Sequence, residues 1–330
     1  MNDSRSKNSS SNGLPTMSKT LWKLQSLLFI ILCCLNSFGQ VPDQTNKRAE
    51  IVISGARFTG DLMKHWIKEY EASNPQVKFV LEDKGTVEFS EADIIIHGHH
   101  PSKAQIYENR TYISFARFAV LPIANVNSPF AKVYAEKGLK KSEIKQAYFY
   151  NPLDRIDEKP LKVEFNAYSR IQQASAPIVF AKTFGYEQTD LHGRLISGTD
   201  QHLVQSVIKD PLGISYAPVA LIYDLGSGIL KEGLIVIPID ADDNGKVSSE
   251  EKAFNDLSST LNFISNNKYK NLPVSDIQFS IKKQGTSQAV NRFLTWVLSK
   301  GINDLQDFGF LKQEEKTIEQ NLSDLSKNSF

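Results

Sequence analysis

Short β-branched runs alternate with helix-periodic stretches from residue 50 almost to the C-terminus, and that alternation confines the chain to α/β architectures. Glu50-Ile51-Val52-Ile53 reads as a strand and Ser54-Gly55-Ala56-Arg57-Phe58-Thr59-Gly60 as a turn. Leu62, Trp66, Ile67 and Tyr70 recur at helical spacing over residues 61–73, and Pro75 stops that helix. Residues 77–81 and 93–96 are the next strands, and a strand–helix–strand order predicts a parallel sheet with right-handed crossovers. Residues 112–126 are extended and apolar around Pro122. Further strands are expected at 162–165, 195–196, 213–216, 234–239 and 277–282. Helices are expected at 141–146, 176–184, 201–208, 254–265 and 287–300, with a polar helix at the end. The 330 residues allow about two domains, at roughly 100–200 residues each.

The N-terminus reads as an export signal. Residues 24–35 run LQSLLFIILCCL, Lys19 and Lys23 precede them, and Ser37-Phe38-Gly39 follows with small residues where a signal peptidase needs them. The apolar core of this run, about 10 residues, is too short to span ~30 Å of hydrocarbon as a helix. Cleavage is expected near Gly39, with residues 1–39 as signal and 40–47 as linker. Met17 would start a more ordinary signal than Met1. A periplasmic or secreted location follows. Both cysteines, Cys33 and Cys34, lie inside the signal, so the mature chain has no disulfide, thiolate metal site or cysteine nucleophile. A net charge of +1 gives no strong field toward nucleic acid or an anionic membrane, while leaving room for a local anion site.

Three places could meet an anion. In the turn 54–59, a strand end followed by a helix start presents free N–H groups and a positive dipole end. There Gly55 would allow close backbone approach, Arg57 a charged fork and Thr59 a hydroxyl; capping by Thr59 with an exposed Arg57 is the plain structural alternative. Arg170 follows Ser169 and precedes a helix with Ser175 near its start, although a surface arginine would fit the same residues. His97-Gly98-His99-His100 follows a strand at the carboxyl end, where α/β sheets bind ligands. His99 on an anion, a histidine metal site and ordinary loop histidines all remain open there.

The most specific local motif is Asp240-Ala241-Asp242-Asp243-Asn244-Gly245-Lys246-Val247-Ser248-Ser249-Glu250-Glu251. It fits the twelve-residue calcium loop: oxygen ligands from Asp240, Asp242 and Asn244, a turn at Gly245, the Lys246 carbonyl, and a bidentate Glu251. Val247 is apolar where such loops pin themselves to the protein. Because a strand precedes the loop, a structural calcium is expected rather than a paired sensor. Enzyme constellations do not stand out: the sequence has no Gly-rich phosphate loop with a lysine, no nucleophile elbow and no paired His/Glu helix motif.

Four stretches together carry a family resemblance: SGARFTGDLMKHWIKEY from Ser54, YSRIQQASAPIVFAKTFG from Tyr168, KDPLGISYAPVALIYD from Lys209 and FLTWVLSKGINDLQDFGFL from Phe293. In that order the mature chain resembles the phosphate-binding proteins of ABC importers, in the branch with a calcium-type loop. The resemblance implies a type II periplasmic-binding-protein fold. Two α/β lobes, residues 48–120 with 280–330 and residues 121–279, would be joined by two hinge crossings and close on a ligand between them. It implies an anion loop at Ser54, Gly55, Ala56, Arg57, Phe58 and Thr59, charge from Arg170 beside Ser169 and Ser175, and a third contact at Gly98 and His99. The implied function is capture of an inorganic oxyanion, with phosphate the leading one, by a monomer that serves ABC importer membrane subunits and no nucleic acid. The chain departs from the family pattern in four respects. A glycine-containing stretch is replaced by Gln172-Gln173-Ala174-Ser175-Ala176-Pro177, Gln172 stands where the family has an acidic residue, and a loop is shortened to Gly85-Thr86. Gly98 and His99 stand where the family has Ser or Thr and a charged residue. No residue stands out as the acceptor that would demand a protonated ligand. The alternative is a degenerate envelope interaction protein of the same fold.

Overall fold

The computed structural model describes residues 49–82, 91–99, 108–149, 161–267 and 269–327. The apolar run 24–35 with its cleavage site, the linker 40–47, Gly85-Thr86 and His100 lie outside the described residues. The first β-branched run forms β1 (Ala49–Gly55), and the periodic stretch after the turn forms α1 (Gly60–Ser73). Trp66 and Tyr70 of α1 are buried, and the Trp66 indole N–H donates to the Gly301 carbonyl at 3.0 Å. β2 (Val77–Leu81) and β3 (Ile94–His97) then pair with β1 on either side, both parallel.

β4 (Arg110–Asn125) is the long apolar stretch around Pro122. Beyond it come α2 (Pro129–Lys137), α3 (Lys141–Ile144), β5 (Asn166–Arg170), α4 (Ser175–Thr183), β6 (Arg194–Ile196) and α5 (Asp200–Lys209). β7 (Gly213–Pro218), α6 (Val219–Ile222), β8 (Leu234–Val236), α7 (Leu257–Asn266) and β9 (Val274–Lys282) follow. α8 (Gln288–Ser299), β10 (Leu311–Lys312) and α9 (Glu315–Lys327) finish the order. Side-chain caps set several helix starts: Ser128 accepts from the Ala131 N–H at 2.9 Å and Asp256 from the Ser259 N–H at 2.8 Å.

The strands run in the order β2-β1-β3-β9-β4-β7-β5-β6, with β8 and β10 also on β4. β4 is shared by two groups. Its first part pairs antiparallel with β9, from Arg110↔Lys282 to Ala119↔Val274, with a bulge between Ser114 and Ala116. Its second part, from Val120 on, pairs antiparallel with β7 and β8. β5 pairs parallel with β6 and β7. The chain thus leaves the β1–β3 group along β4 and returns along β9, the Val120 N–H donating to the Pro273 carbonyl at 2.9 Å beside the crossing. Each group has its own aromatic core: Tyr70, Phe79, Phe293 and Trp296 in one, Tyr148, Phe180 and Tyr216 in the other.

Several elements differ from the sequence reading: α2 and α6 were not expected, and the strand expected at 234–239 is confined to Leu234–Val236. The strand expected at 162–165 forms at Asn166–Arg170 instead, because pairing to β7 begins at Asn166 and pairing to β6 at Tyr168. The apolar alternation of Val163 and Phe165 is used in loop packing, Phe165 meeting Phe130 at 5.3 Å. The helix expected at 141–146 keeps one α turn and widens into a π turn over Lys145–Phe149. That turn swings Tyr148 onto Phe180 and Phe149 onto Tyr186. No helix among the described residues is long and apolar enough to cross a membrane.

Candidate functional site

The carboxyl ends of β1, β3 and β5 and the N-termini of α4 and α5 surround one cavity of about 570 Å³. Gly55 begins it. Its φ is +126°, and a Cβ there would stand 2.2 Å from the Ile96 carbonyl oxygen, so only glycine lets β1 turn this close to β3. The Ala56 N–H donates to that carbonyl at 3.0 Å, and the chain enters a short 3₁₀ turn, Arg57–Thr59, before α1. Gly55, Ala56, Arg57 and Phe58 line the cavity. Ser54 and Thr59 do not: both are buried, and the Thr59 hydroxyl donates to the Ala56 carbonyl at 2.7 Å, holding the turn rather than facing a ligand.

At the end of β3, His97 and His99 line the cavity, while Gly98 is buried behind them. A Cβ on Gly98 would lie 2.8 Å from both the Phe58 ring and the Ser175 Cβ. His99 Nδ1 lies 3.1 Å from the Ser175 hydroxyl. His97 Nε2 lies 2.9 Å from the Ser280 hydroxyl, whose oxygen also accepts from Arg110 Nε at 3.1 Å. Burial first, then the nearby His99 and Arg110, lower the His97 pKa to about 4, so its ring is neutral at pH 7.

β5 and the two helices after it supply the charge. Ser169 is buried outside the cavity against the Tyr216 hydroxyl at 2.8 Å, and Arg170 lines the wall. Arg170 NH1 donates to Asp200 Oδ1 at 3.1 Å, and Arg170 Nε is buried without a hydrogen-bond partner. Asp200, the first residue of α5, is 5% exposed. Burial raises its pKa, and the Arg170 charge pulls the other way. The N-cap of α4 is Ala174, with no side-chain acceptor over the first turn. No side chain therefore caps the first turn, and Ser175 presents the positive end of this nine-residue helix to the cavity. Ser175, Gln172, Gln173 and Ser197 complete the polar wall, and Phe58, Ile96 and Ile178 the apolar one. The Gln172 side chain is tied down, donating to Ser197 Oγ at 3.0 Å and accepting from the Gly198 N–H at 3.2 Å.

Of the residues singled out from the sequence, Gly55, Ala56, Arg57, Phe58, His99, Arg170 and Ser175 meet in this cavity, and Ser54, Thr59, Gly98 and Ser169 support it from behind. Sequence reasoning missed Asp200. Its signal was available: Ser197-Gly198-Thr199-Asp200 is another strand-to-helix turn, the same arrangement that drew attention to residues 54–59.

The loop 240–251 stands apart. Asp240 and Glu251 are each 2% exposed. Together with Asp242 they bring carboxylate oxygens within 4.8 Å of one another. Glu251 accepts from the Ala241 and Ser248 N–H groups, both at 2.7 Å, and Asp240 from Asn244 at 3.0 Å and Gly245 at 2.8 Å. Val247 packs against Gly138 so closely that a Cβ there would meet it at 2.3 Å. Asn271 braces the loop start, donating its side-chain amide to the Asp240 carbonyl at 3.0 Å. Burial chiefly raises the Asp240 pKa, and the Glu251 charge adds to it.

No family model matches the chain, and no curated protein matches it. Solved structures do. A candidate phosphate ABC transporter substrate-binding protein with bound phosphate from Clostridium perfringens is 14% identical with a TM-score of 0.60, covering 80% of this chain and 100% of its own. A candidate phosphate-binding protein from Planctomyces limnophilus is 13% identical with a TM-score of 0.52, covering 85% and 98%. An ABC-type phosphate transport receptor from Vibrio cholerae is 12% identical with a TM-score of 0.55, covering 80% and 100%. At such identities the likeness establishes architecture: this chain has the two-lobed type II periplasmic-binding-protein fold, with β4 and β9 as its two crossings.

Proposed function

We propose that the chain is an exported solute-binding protein that captures an oxyanion of the phosphate type in the cavity between its lobes, for delivery to an ABC importer. The observation that carries this reading is the meeting of Arg170 with the uncapped N-terminus of α4 in one cavity. A dehydrated anion must regain each lost water contact from fixed donors. Here those are the Arg170 guanidinium, the N–H group and hydroxyl of Ser175 and, at the mouth, Arg57. The similar solved structures include phosphate transport proteins, one with phosphate bound, which supports the same ligand chemistry. Asp200 supplies the acceptor that the sequence reading lacked. A buried carboxylate beside Arg170 repels a fully ionised oxyanion and accepts a hydrogen bond from one that keeps a proton, so it favours phosphate over sulfate. Calorimetry with phosphate and sulfate tests the reading: phosphate should bind and sulfate should not. No heat from either would leave the alternative of an envelope interaction protein.

The loop 240–251 fits a structural calcium in this reading. Its donors are all oxygens, which suits a hard cation, and its two buried carboxylates would gain a countercharge. Asp240, Asp242, Asn244 and Glu251 would hold the ion by side chain and Lys246 by its carbonyl. Export rests on the sequence of residues 19–39.

A further inference from the structure

The lobes already touch across the floor of the cleft. His99, after β3, reaches Ser175, at the start of α4, at 3.1 Å. Gly98 leaves no room for a single carbon between itself, Phe58 and Ser175. The cavity beside that contact measures about 570 Å³. Cavities of several hundred Å³ are the size of small organic ligands. The wall is also of two kinds. Arg170, Ser175 and His99 offer donors, whereas Phe58 and Ile178 offer apolar surface at 6% and 7% residual exposure, and Gln173 adds an exposed amide at the mouth. A free tetrahedral anion makes no use of that second part.

We infer that the cargo is a small phosphate monoester, its phosphoryl group on Arg170 and the α4 N-terminus and its organic part against Phe58, Ile178 and Gln173. This rests on the anion reading of the same cavity. The test is calorimetry of the full chain with inorganic phosphate, glycerol 3-phosphate and phosphoserine, repeated on Gln173→Trp, which fills the mouth at an exposed position. At least one monoester should bind about tenfold or more tighter than phosphate. Gln173→Trp should weaken that monoester at least about fivefold more than it weakens phosphate. Phosphate binding as tightly as both esters would overturn the monoester assignment and leave the anion reading standing. Equal losses for ester and phosphate in Gln173→Trp would overturn the placement of the organic part. No heat from any of the three would remove both readings together.

Discussion

His97 makes acid stability depend on one ring. The imidazole is held neutral between Ser280 and the cavity, and its pKa falls from 6.5 to about 4, chiefly through burial. In the unfolded chain it titrates near 6.5, so between these values the unfolded state binds the proton and the folded state refuses it. The stability from a neutral His97 is complete above pH 6.5 and is lost as pH falls toward 4. A gap of this size gives a loss of about 2 kcal/mol at pH 5 and about 3 kcal/mol at pH 4. His97→Gln keeps a hydrogen-bonding amide that can face the Ser280 hydroxyl and carries no titration. Urea unfolding followed by circular dichroism at pH 7.5, 6, 5 and 4 should therefore show the wild type losing its advantage over His97→Gln by those amounts. The carboxylates titrate in both proteins and cancel in the difference. A difference that stays constant within about 0.5 kcal/mol from pH 7.5 to 4 would refute the claim that burial suppresses this charge.

Asp200→Asn should remove discrimination rather than binding: sulfate affinity should rise by about tenfold or more relative to phosphate, read by competitive calorimetry. Unchanged selectivity would mean that Asp200 only positions Arg170. Calcium at about 100 times its dissociation constant should add about 2.7 kcal/mol, a melting shift of roughly 5 °C, and Glu251→Gln should remove most of it. A melting temperature indifferent to calcium, chelator and Glu251→Gln would make the loop an acidic turn. Mass spectrometry of the protein recovered from cells should find the mature N-terminus near Gly39; a mature protein that keeps residues 24–35 would contradict export by cleavage.

What was legible in the sequence was local. The helix at α1 shows in Leu62, Trp66 and Tyr70, whose burial follows from their spacing alone. The twelve residues from Asp240 to Glu251 carry their own turn chemistry, with Asp243 at φ +66° and Gly245 at φ +86°. The strand-to-helix turn at Gly55 likewise announces itself. The partner of Arg170 was not legible, because Asp200 is thirty residues away and only the parallel pairing of β5 with β6 brings the two turns together. Nor could spacing show that Gly98 is squeezed between Phe58 and Ser175, which follows from tertiary contact of three separate segments, whereas the Thr59 bond to Ala56 is local and its capping role was among the sequence alternatives. The strand at Asn166–Arg170 was displaced from 162–165 for the same reason: alternation continued through both segments, and pairing with β7 chose one.

The central claim is that Arg170 meets a phosphoryl oxyanion in the cleft, and a phosphate titration of Arg170→Ala against the wild type tests it most directly. Removing the guanidinium takes away a charge-assisted contact and leaves Asp200 buried without its cation. Arg170→Ala should lose about 3 kcal/mol in binding, more than about a hundredfold in affinity, with the circular dichroism spectrum retained. Phosphate binding with wild-type affinity by a folded Arg170→Ala protein would contradict it.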